Sequence, residues 1–187
     1  MGSEMCIRDS NRVCQPIQEA LKFIRRYSID TLARLKEFHK MRTPARIRII
    51  QGDARTVDLR RKTPVDGIFT SPPYVGVIDY HEQHRYAYEL FNFPRKDNLE
   101  IGASFRGASK KAQEEYKSGI ILVFKNLSSD LIPKAKIFIV ANDKYNLYPQ
   151  IGESLGYKLI DVFQYFQQAY QRPCHLLSRQ TFLFCRS

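Results

Sequence analysis

The sequence predicts an α/β fold with a mostly parallel sheet and an antiparallel pair at one edge. Short apolar runs rich in β-branched residues alternate with segments of helical apolar spacing, a pattern typical of parallel strands joined by crossover helices. The last two apolar runs have no helical pattern between them, which predicts an antiparallel pair. A chain of 187 residues, 43% of them hydrophobic, suits one domain with a substantial core.

Each element is predicted from its apolar spacing and from the residues that end it, since proline and glycine mark boundaries. In order, the sequence predicts one or two helices between Pro16 and Pro44; strands over 46–51 and 65–70, the first ending at Gly52 and Asp53 and the second at Pro72 and Pro73; a helix over 111–131 before Pro133; a strand over 137–141; a helix over 147–155 before Gly156; and strands over 157–166 and 181–185.

The chain is basic, with 30 Lys and Arg against 19 Asp and Glu and a net charge of +11. The excess is concentrated in residues 1–62. This imbalance is compatible with a polyanionic partner and equally with a solvated basic helix face. No run approaches the roughly 18 uncharged apolar residues that a membrane span needs, so no membrane partner is expected.

The cysteines and histidines predict neither a metal site nor a disulfide framework. No two of the four cysteines form a Cys-x-x-Cys pair, which favours reduced thiols in a cytoplasmic protein. His81 and His84 fit a polar helix surface better than a ligand pair, because no cysteine lies near them. The four cysteines are Cys6, Cys14, Cys174 and Cys185.

Residues 1–10 lack any periodicity and resemble translated sequencing-adapter strings. We therefore treat them as a non-native leader and residues 11–187 as the folded domain.

Residues 71–74, here called the elbow, carry the most informative chemistry. Two consecutive prolines end the preceding strand and leave nearby carbonyls outside the sheet. The segment thus presents the Ser71 hydroxyl, free carbonyl acceptors and the Tyr74 ring within a few residues. Such a set can hold a planar amine, with acceptors for its protons and a ring for its face. The alternative is that Pro72 and Pro73 only terminate the strand.

The elbow, Ser-Pro-Pro-Tyr after an apolar strand, resembles the catalytic motif of the S-adenosylmethionine-dependent amino-methyltransferases of DNA. Residues 49–54 resemble the strand of that family that ends in an acidic residue near the cofactor adenine, and residues 76–91 resemble the stretch after the motif. The resemblance covers residues 45–187 and implies a Rossmann-like methyltransferase sheet that is incomplete at its N-terminal half.

The resemblance also implies a role for each motif residue. Ser71 and the Pro72 carbonyl accept hydrogen bonds from the exocyclic amine and orient it toward the methyl group, with Pro73 stiffening the motif. Tyr74 stacks on a base turned out of the duplex. Serine at the first motif position favours the N4 amine of cytosine over the N6 amine of adenine.

Three residues are assigned to the cofactor, S-adenosylmethionine, by the same resemblance. Asp53 accepts from the adenine amino group, Ala54 lies beside it, and Thr70 follows at the end of the next strand. The family's glycine-rich turn is missing, since the chain contains no Gly-x-Gly. We expect a missing N-terminal half or a partner subunit to supply that turn. A split enzyme and a degenerate, non-catalytic relative are the alternatives to a truncated chain.

Four basic residues are candidates for nucleic-acid contact: Arg85, Arg106, Lys110 and Lys111. The last three lie in residues 94–112, which read as a mobile basic loop or as a solvated loop before a helix. Arg85 reaches a phosphate or pairs with Glu82 or Glu89. Aromatic and polar residues between the last two strands contact bases or, more simply, pack on the sheet: Tyr165, Phe166, Tyr170, Arg172 and His175.

The function expected from these features is methylation of a DNA base amine, in a restriction-modification or similar prokaryotic system. One alternative is methylation of RNA bases, since related elbows act on RNA. The other is a nucleic-acid-binding or partner-binding fragment without turnover, which the missing glycine turn favours.

Overall fold

The structure is a computed structural model that describes residues 20–59, 64–167 and 177–186. Its helices are α1 (Ala20–Met41), α2 (Tyr80–Gln83), α3 (Arg85–Leu90), α4 (Lys110–Ser128) and α5 (Leu147–Ser154), and its strands are β1 (Val65–Thr70), β2 (Leu131–Ala141), β3 (Tyr157–Gln167) and β4 (Leu177–Arg186). Short 3-10 turns cover Asp97–Leu99 and Ser104–Arg106. The leader, Cys6, Cys14 and Cys174 lie outside the described residues.

Helix α1 belongs to a first unit that ends at Ile49, and all other elements belong to a second unit. The helix confirms the prediction between Pro16 and Pro44 over the residues described. Its apolar side chains, such as Leu32 and Leu35, are exposed. No helix in the three described ranges has the length and apolar content to cross a bilayer.

The second unit is built on one mixed sheet with the strand order β1-β2-β4-β3. β1 pairs parallel with β2, whereas β4 pairs antiparallel with both β2 and β3. The α/β class and the antiparallel pairing of the last two strands are confirmed. The expectation of a mostly parallel sheet is wrong for the described strands, since only one of their three pairings is parallel.

The expected antiparallel pair at one edge of the sheet is also confirmed, and β3 is the edge strand of that pair among the described strands. β4 lies between β2 and β3, and Phe182 and Phe184 pair in register with Ile139 and Ile137. All four side chains are buried in the same core cluster. Burial of two large aromatic rings favours an interior strand over an edge strand, and sequence spacing alone does not reveal this order.

Helix α4 supplies one side of the core. Its buried residues recur every four positions, which places them on one helix face: Ala112, Tyr116, Ile120 and Phe124. The last three of them cluster with alternate residues of β2, including Ile137 and Ile139. Ser109 begins the helix by accepting a hydrogen bond from the Ala112 amide. The helices predicted over 111–131 and 147–155 are thus confirmed as α4 and α5.

One predicted strand and one predicted element boundary are wrong. Residues 46–51 are irregular and not a strand, and the Ile49 side chain is 92% exposed. Such a run becomes a strand only beside a pairing partner, and no described strand pairs with it. Pro133, expected to end a helix, lies inside β2. The β1–β2 register shifts between Val65 and Gly67, an irregularity of the kind that accommodates proline in a sheet.

Candidate active site at the ends of β1 and β2

The elbow and the loop after β2 lie at the same edge of the sheet. Because β1 and β2 are parallel, with Thr70 in register with Ile139, both strands end there. The elbow follows β1, and Asn142 and Asp143 follow β2. In open α/β sheets this carboxyl edge is where ligands bind.

Ser71 uses its hydroxyl proton within the protein. Its Oγ donates to the Val140 carbonyl at 3.0 Å, which ties the end of β1 to β2. A hydroxyl has one proton and two acceptor lone pairs. With the proton committed to Val140, the Ser71 oxygen can interact with a ligand only as an acceptor, as the sequence-based role requires.

The two proline carbonyls of the elbow differ in their partners. The Pro73 carbonyl accepts from the Tyr116 hydroxyl at 2.8 Å. The Pro72 carbonyl receives no hydrogen bond from the described part of the chain. Of the two, Pro72 is therefore the one with both lone pairs available, and it is the carbonyl that the sequence resemblance selects.

A cavity of about 210 Å³, here called the elbow cavity, opens beside Tyr74. It is lined by residues 74–77 and 142–145, together with Tyr116 and Tyr148 among others. Tyr74 is half-buried and packs against the core cluster while one part of it lines this cavity. Ser71 is not among the lining residues, so its hydroxyl lies at the sheet edge rather than in the cavity wall.

The far wall of the elbow cavity is fixed by Asp143. Its two carboxylate oxygens accept from the Leu147 and Tyr148 amides, at 2.8 and 3.0 Å, at the start of α5. This arrangement satisfies amides that the helix itself leaves unpaired, and negative charge is favourable at a helix N-terminus. Asp143 is thus structural, and Asn142 contributes the amide side chain of this loop to the cavity wall.

Asp53 stands in a turn and not at the end of a strand. Its backbone carbonyl accepts from the Thr56 and Val57 amides, and its carboxylate pairs with the Arg55 guanidinium, with 2.6 Å between Oδ2 and Nη2. The hydrogen bonds from Arg55 hold the pKa of the Asp53 carboxyl below its ordinary value. Asn126 of α4 donates to the Ala54 carbonyl at 3.2 Å.

The structure brings none of the three proposed cofactor residues into the wall of the elbow cavity. Asp53, Ala54 and Thr70 do not line it. Thr70 ends β1 directly before Ser71 and is half-buried. The 53–57 turn is joined to α4 by Asn126, and not by any side chain of the elbow.

Residues 94–112 form two 3-10 turns rather than an open loop, and they are joined to the segment after the elbow. The Gly76 amide donates to the Gly102 carbonyl at 2.9 Å. Asp79 accepts from the Ser104 hydroxyl at 2.8 Å, and Glu100 accepts from the Tyr80 amide at the start of α2. These bonds hold the chain after the elbow in place.

The candidate arginines are paired with acidic side chains. Arg85 contacts Glu82 and Glu89 at 3.3 and 3.4 Å, the simpler of its two expected roles. Arg106 contacts Glu115 at 3.4 Å and donates to the Asn98 carbonyl at 2.8 Å.

The candidate lysines, in contrast to the arginines, have no acidic partner among the described residues. Lys110 and Lys111 begin α4 and are exposed, without an ion pair in the described part of the chain. Of the aromatic candidates between β3 and β4, the side chains of Tyr165 and Phe166 and the whole of Tyr170, Arg172 and His175 lie outside what the structure describes.

Sequence reasoning missed Tyr116 and Tyr148, whose hydroxyls lie 2.6 Å apart behind the elbow. Both sit at apolar helix positions, so nothing in the spacing separates them from core aromatics. Asn142 had a weak signal, since polar residues directly follow an apolar strand there.

No protein-family model matches the chain. A comparison with curated proteins finds 50% identity, over 166 residues, to the Type II methyltransferase M.MjaII of Methanocaldococcus jannaschii. The match covers 82% of this chain and 31% of that protein. The chain thus resembles a methyltransferase closely while spanning about a third of its relative's length.

Proposed function

We propose that this chain is the part of a methyltransferase that holds the exocyclic amine of a DNA base, with the N4 amine of cytosine as the favoured target. The observation that carries the proposal is the pair of acceptors at the elbow. The Ser71 hydroxyl donates its hydrogen bond to the Val140 carbonyl, and the Pro72 carbonyl has no donor within the described residues. The similarity to a Type II methyltransferase supports the same reaction class.

The proposed chemistry follows from these acceptors. An exocyclic amine has two protons, and the Ser71 oxygen and the Pro72 carbonyl each accept one. Two such bonds draw electron density onto the amine nitrogen and fix the direction of its lone pair. S-adenosylmethionine, when bound, supplies an activated methyl group on a sulfonium. Alignment of the amine with that group would provide most of the acceleration. The new N–CH3 bond would form as the S–CH3 bond breaks, and the amine nitrogen would lose one proton to solvent.

Tyr74 and the elbow cavity serve the base itself in this proposal. An amine stacked inside a duplex cannot reach a buried cofactor, so the base has to turn out of the helix. The Tyr74 ring offers a flat surface for the extruded base, and aromatic stacking of this kind tolerates either pyrimidine or purine. Asn142 offers a donor and an acceptor for the base edge.

The cofactor fits the described residues only in part. A carboxylate has about four acceptor positions, and three donor groups of Arg55, namely its backbone amide, Nε and Nη2, already bond to Asp53. About one position is left for the adenine amino group. Thr70 and Ala54 contribute neighbouring backbone in this proposal. Gly76 lines the elbow cavity, but the sequence contains no Gly-x-Gly turn of the kind expected to hold the methionine part of the cofactor.

We infer that a further polypeptide segment, either an N-terminal half or a partner subunit, completes the cofactor site. β1 is the outermost described strand on its side of the sheet, and its Phe69 side chain is 78% exposed. An edge strand with an exposed large apolar side chain favours pairing with another strand. The segment would bring the glycine-rich turn to the carboxyl edge of β1.

DNA is the proposed partner, with RNA as the alternative nucleic acid. Lys110 and Lys111 are exposed cations at the start of α4, shortly after Ala108 of the elbow cavity wall, and suit phosphate contact. Arg85 and Arg106 contribute only if DNA phosphates displace their acidic partners. A cytoplasmic location and a restriction-modification role accompany the proposal.

A methylation assay tests the proposal. The chain is combined with the part of the M.MjaII relative that lies outside the matched region, which serves as a complementing polypeptide. The mixture is offered S-adenosylmethionine with duplex DNA and, separately, with tRNA, and the products are digested to nucleosides. We expect N4-methylcytosine from DNA. Methylation of tRNA alone would favour the RNA alternative, and no methylation of either would favour the binding fragment.

A further inference from the structure

Two buried tyrosines form a hydrogen-bonded chain behind the elbow. Tyr116 of α4 and Tyr148 of α5 are 3% and 2% exposed. Their hydroxyl oxygens lie 2.6 Å apart, and the Tyr116 hydroxyl lies 2.8 Å from the Pro73 carbonyl. These hydrogen bonds therefore join α4 and α5 to the middle of the elbow.

The direction of each hydrogen bond in this chain is determined by its acceptor at the elbow. A carbonyl can only accept, so Tyr116 has to donate its single proton to Pro73. Tyr148 then has to donate to the Tyr116 oxygen. Burial raises the pKa of both hydroxyls, so both protons stay in place across the physiological range.

Tyr148 is itself held by its surroundings. Its backbone amide donates to Asp143, in the loop after β2, at 3.0 Å. Its ring stacks on Phe182 of β4 with centroids 5.3 Å apart. Tyr148 thus has little freedom to turn away from Tyr116, and Tyr116 is held in turn against Pro73.

We propose that Tyr116 is a positioning residue for the elbow and that Tyr148 supports it. By occupying the Pro73 carbonyl, Tyr116 fixes the peptide plane between Pro73 and Tyr74. The Tyr74 ring follows that plane directly, and the Pro72 carbonyl precedes it across the rigid Pro73 ring. These two groups are the ones proposed to hold the base and the amine. This inference rests on the proposed function, because it assigns a purpose to the geometry of that site.

The first test compares Tyr116→Phe with Tyr157→Phe in the complemented enzyme. Tyr157 is a matched control: it is 8% exposed, and its hydroxyl shares one hydrogen bond with Ser128 at 2.9 Å, far along α4 from Tyr116. The readouts are kcat with DNA, the Kd for S-adenosylmethionine and the melting temperature. We expect Tyr116→Phe to lower kcat about tenfold, the effect of one hydrogen bond, with an unchanged Kd for the cofactor.

Tyr157→Phe is expected to lower the melting temperature about as much as Tyr116→Phe does, but to leave kcat unchanged. Equal effects of the two variants on kcat would overturn the inference, because loss of stability would then explain both. A tenfold weaker cofactor affinity in Tyr116→Phe would also contradict it. Absence of methylation by the unsubstituted enzyme would instead reject the proposed function, which keeps the two failures distinct.

A double-mutant cycle tests the supporting role of Tyr148. Tyr148→Phe alone leaves the Tyr116–Pro73 bond in place and is expected to lower kcat about threefold, since neighbours in one network couple. In the Tyr116→Phe background, Tyr148→Phe should change kcat no further. Additive effects on kcat would show that Tyr148 does not act through Tyr116.

Discussion

The Ser71 hydroxyl donates its proton to the Val140 carbonyl, so that the first residue of the elbow is tied to the neighbouring strand. The bond crosses from the end of β1 to the end of β2, where Thr70 and Ile139 are the last registered pair. It gives the Ser71 oxygen a defined orientation before any ligand arrives. Preorganised acceptors of this kind spend no free energy on reorientation when the substrate binds.

The first prediction concerns Gly76, which allows the segment after the elbow to approach residues 102–107. Its φ is +64°, and an added Cβ would lie 2.6 Å from the Gly107 carbonyl oxygen. Gly76→Ala should therefore lower the free energy of unfolding by the left-handed backbone cost of about 1–2 kcal/mol and by a clash of about 1–3 kcal/mol. Chemical denaturation of the chain measures this loss.

Gly156→Ala is the matched control for Gly76. Gly156 has a φ of +70°, but nothing lies within 4 Å of its added Cβ. Only the backbone cost applies there, so the loss should be about 1–2 kcal/mol. Equal losses for the two variants would contradict the close approach of residues 76 and 107.

The second prediction concerns the pH dependence of stability through Asp53. The hydrogen bonds from Arg55 depress the pKa of the folded Asp53 carboxyl below the ordinary value of 3.8. A depressed folded pKa stabilises the protein above the unfolded pKa, and this contribution disappears as the pH falls through the lower folded pKa. Arg55→Gln should therefore destabilise the chain at neutral pH.

The difference between the Arg55→Gln and unsubstituted chains should shrink once the pH falls below about 4. Both groups are partly exposed, so the whole effect should stay within about 1 kcal/mol. Urea unfolding at a series of pH values measures it. A difference that grows on acidification would have the wrong sign for this ion pair.

The third prediction concerns the proposed edge pairing of β1. Phe69→Ser should weaken binding of the complementing polypeptide at least tenfold, because burial of a phenylalanine side chain contributes about 1.5–3 kcal/mol. Phe93→Ser is the control, since Phe93 is also exposed but lies outside β1. Calorimetric titration of each variant measures the affinity. Identical weakening by both substitutions would argue against β1 as the contact.

The sequence predicted the parts of this fold that have strong local signals. The helical spacing of apolar residues predicted α4, whose four buried residues recur every four positions. β1 ends just before the two prolines, as expected. The failures have non-local causes. Residues 46–51 have strand composition without a described pairing partner, and Pro133 stands within a strand because the register shifts beside it. Strand order depended on which rings became buried, as with Phe182 and Phe184.

The sequence predicted the residues of the candidate motif but not the residues that contact them. Residue types identified the elbow, because hydroxyl, proline and tyrosine occur together only once in this arrangement. The partners of these groups come from residues 40 or more positions away, such as Tyr116 for Pro73 and Val140 for Ser71. The sequence offers the pairing of Arg85 with Glu82 or Glu89 as one of two roles, whereas it gives no indication that Arg106 pairs with Glu115.

The central claim, that the Ser71 oxygen holds a base amine, is tested most directly by Ser71→Ala in the complemented enzyme. Ser154→Ala is the control, because that hydroxyl bonds to Gln150 in its own helix. Nucleoside analysis should show N4-methylcytosine formed at least tenfold more slowly with Ser71→Ala, at an unchanged Kd for S-adenosylmethionine, whereas Ser154→Ala behaves as the unsubstituted enzyme. An unchanged rate with Ser71→Ala, or methylation at a ring carbon instead of the amine, would contradict the account.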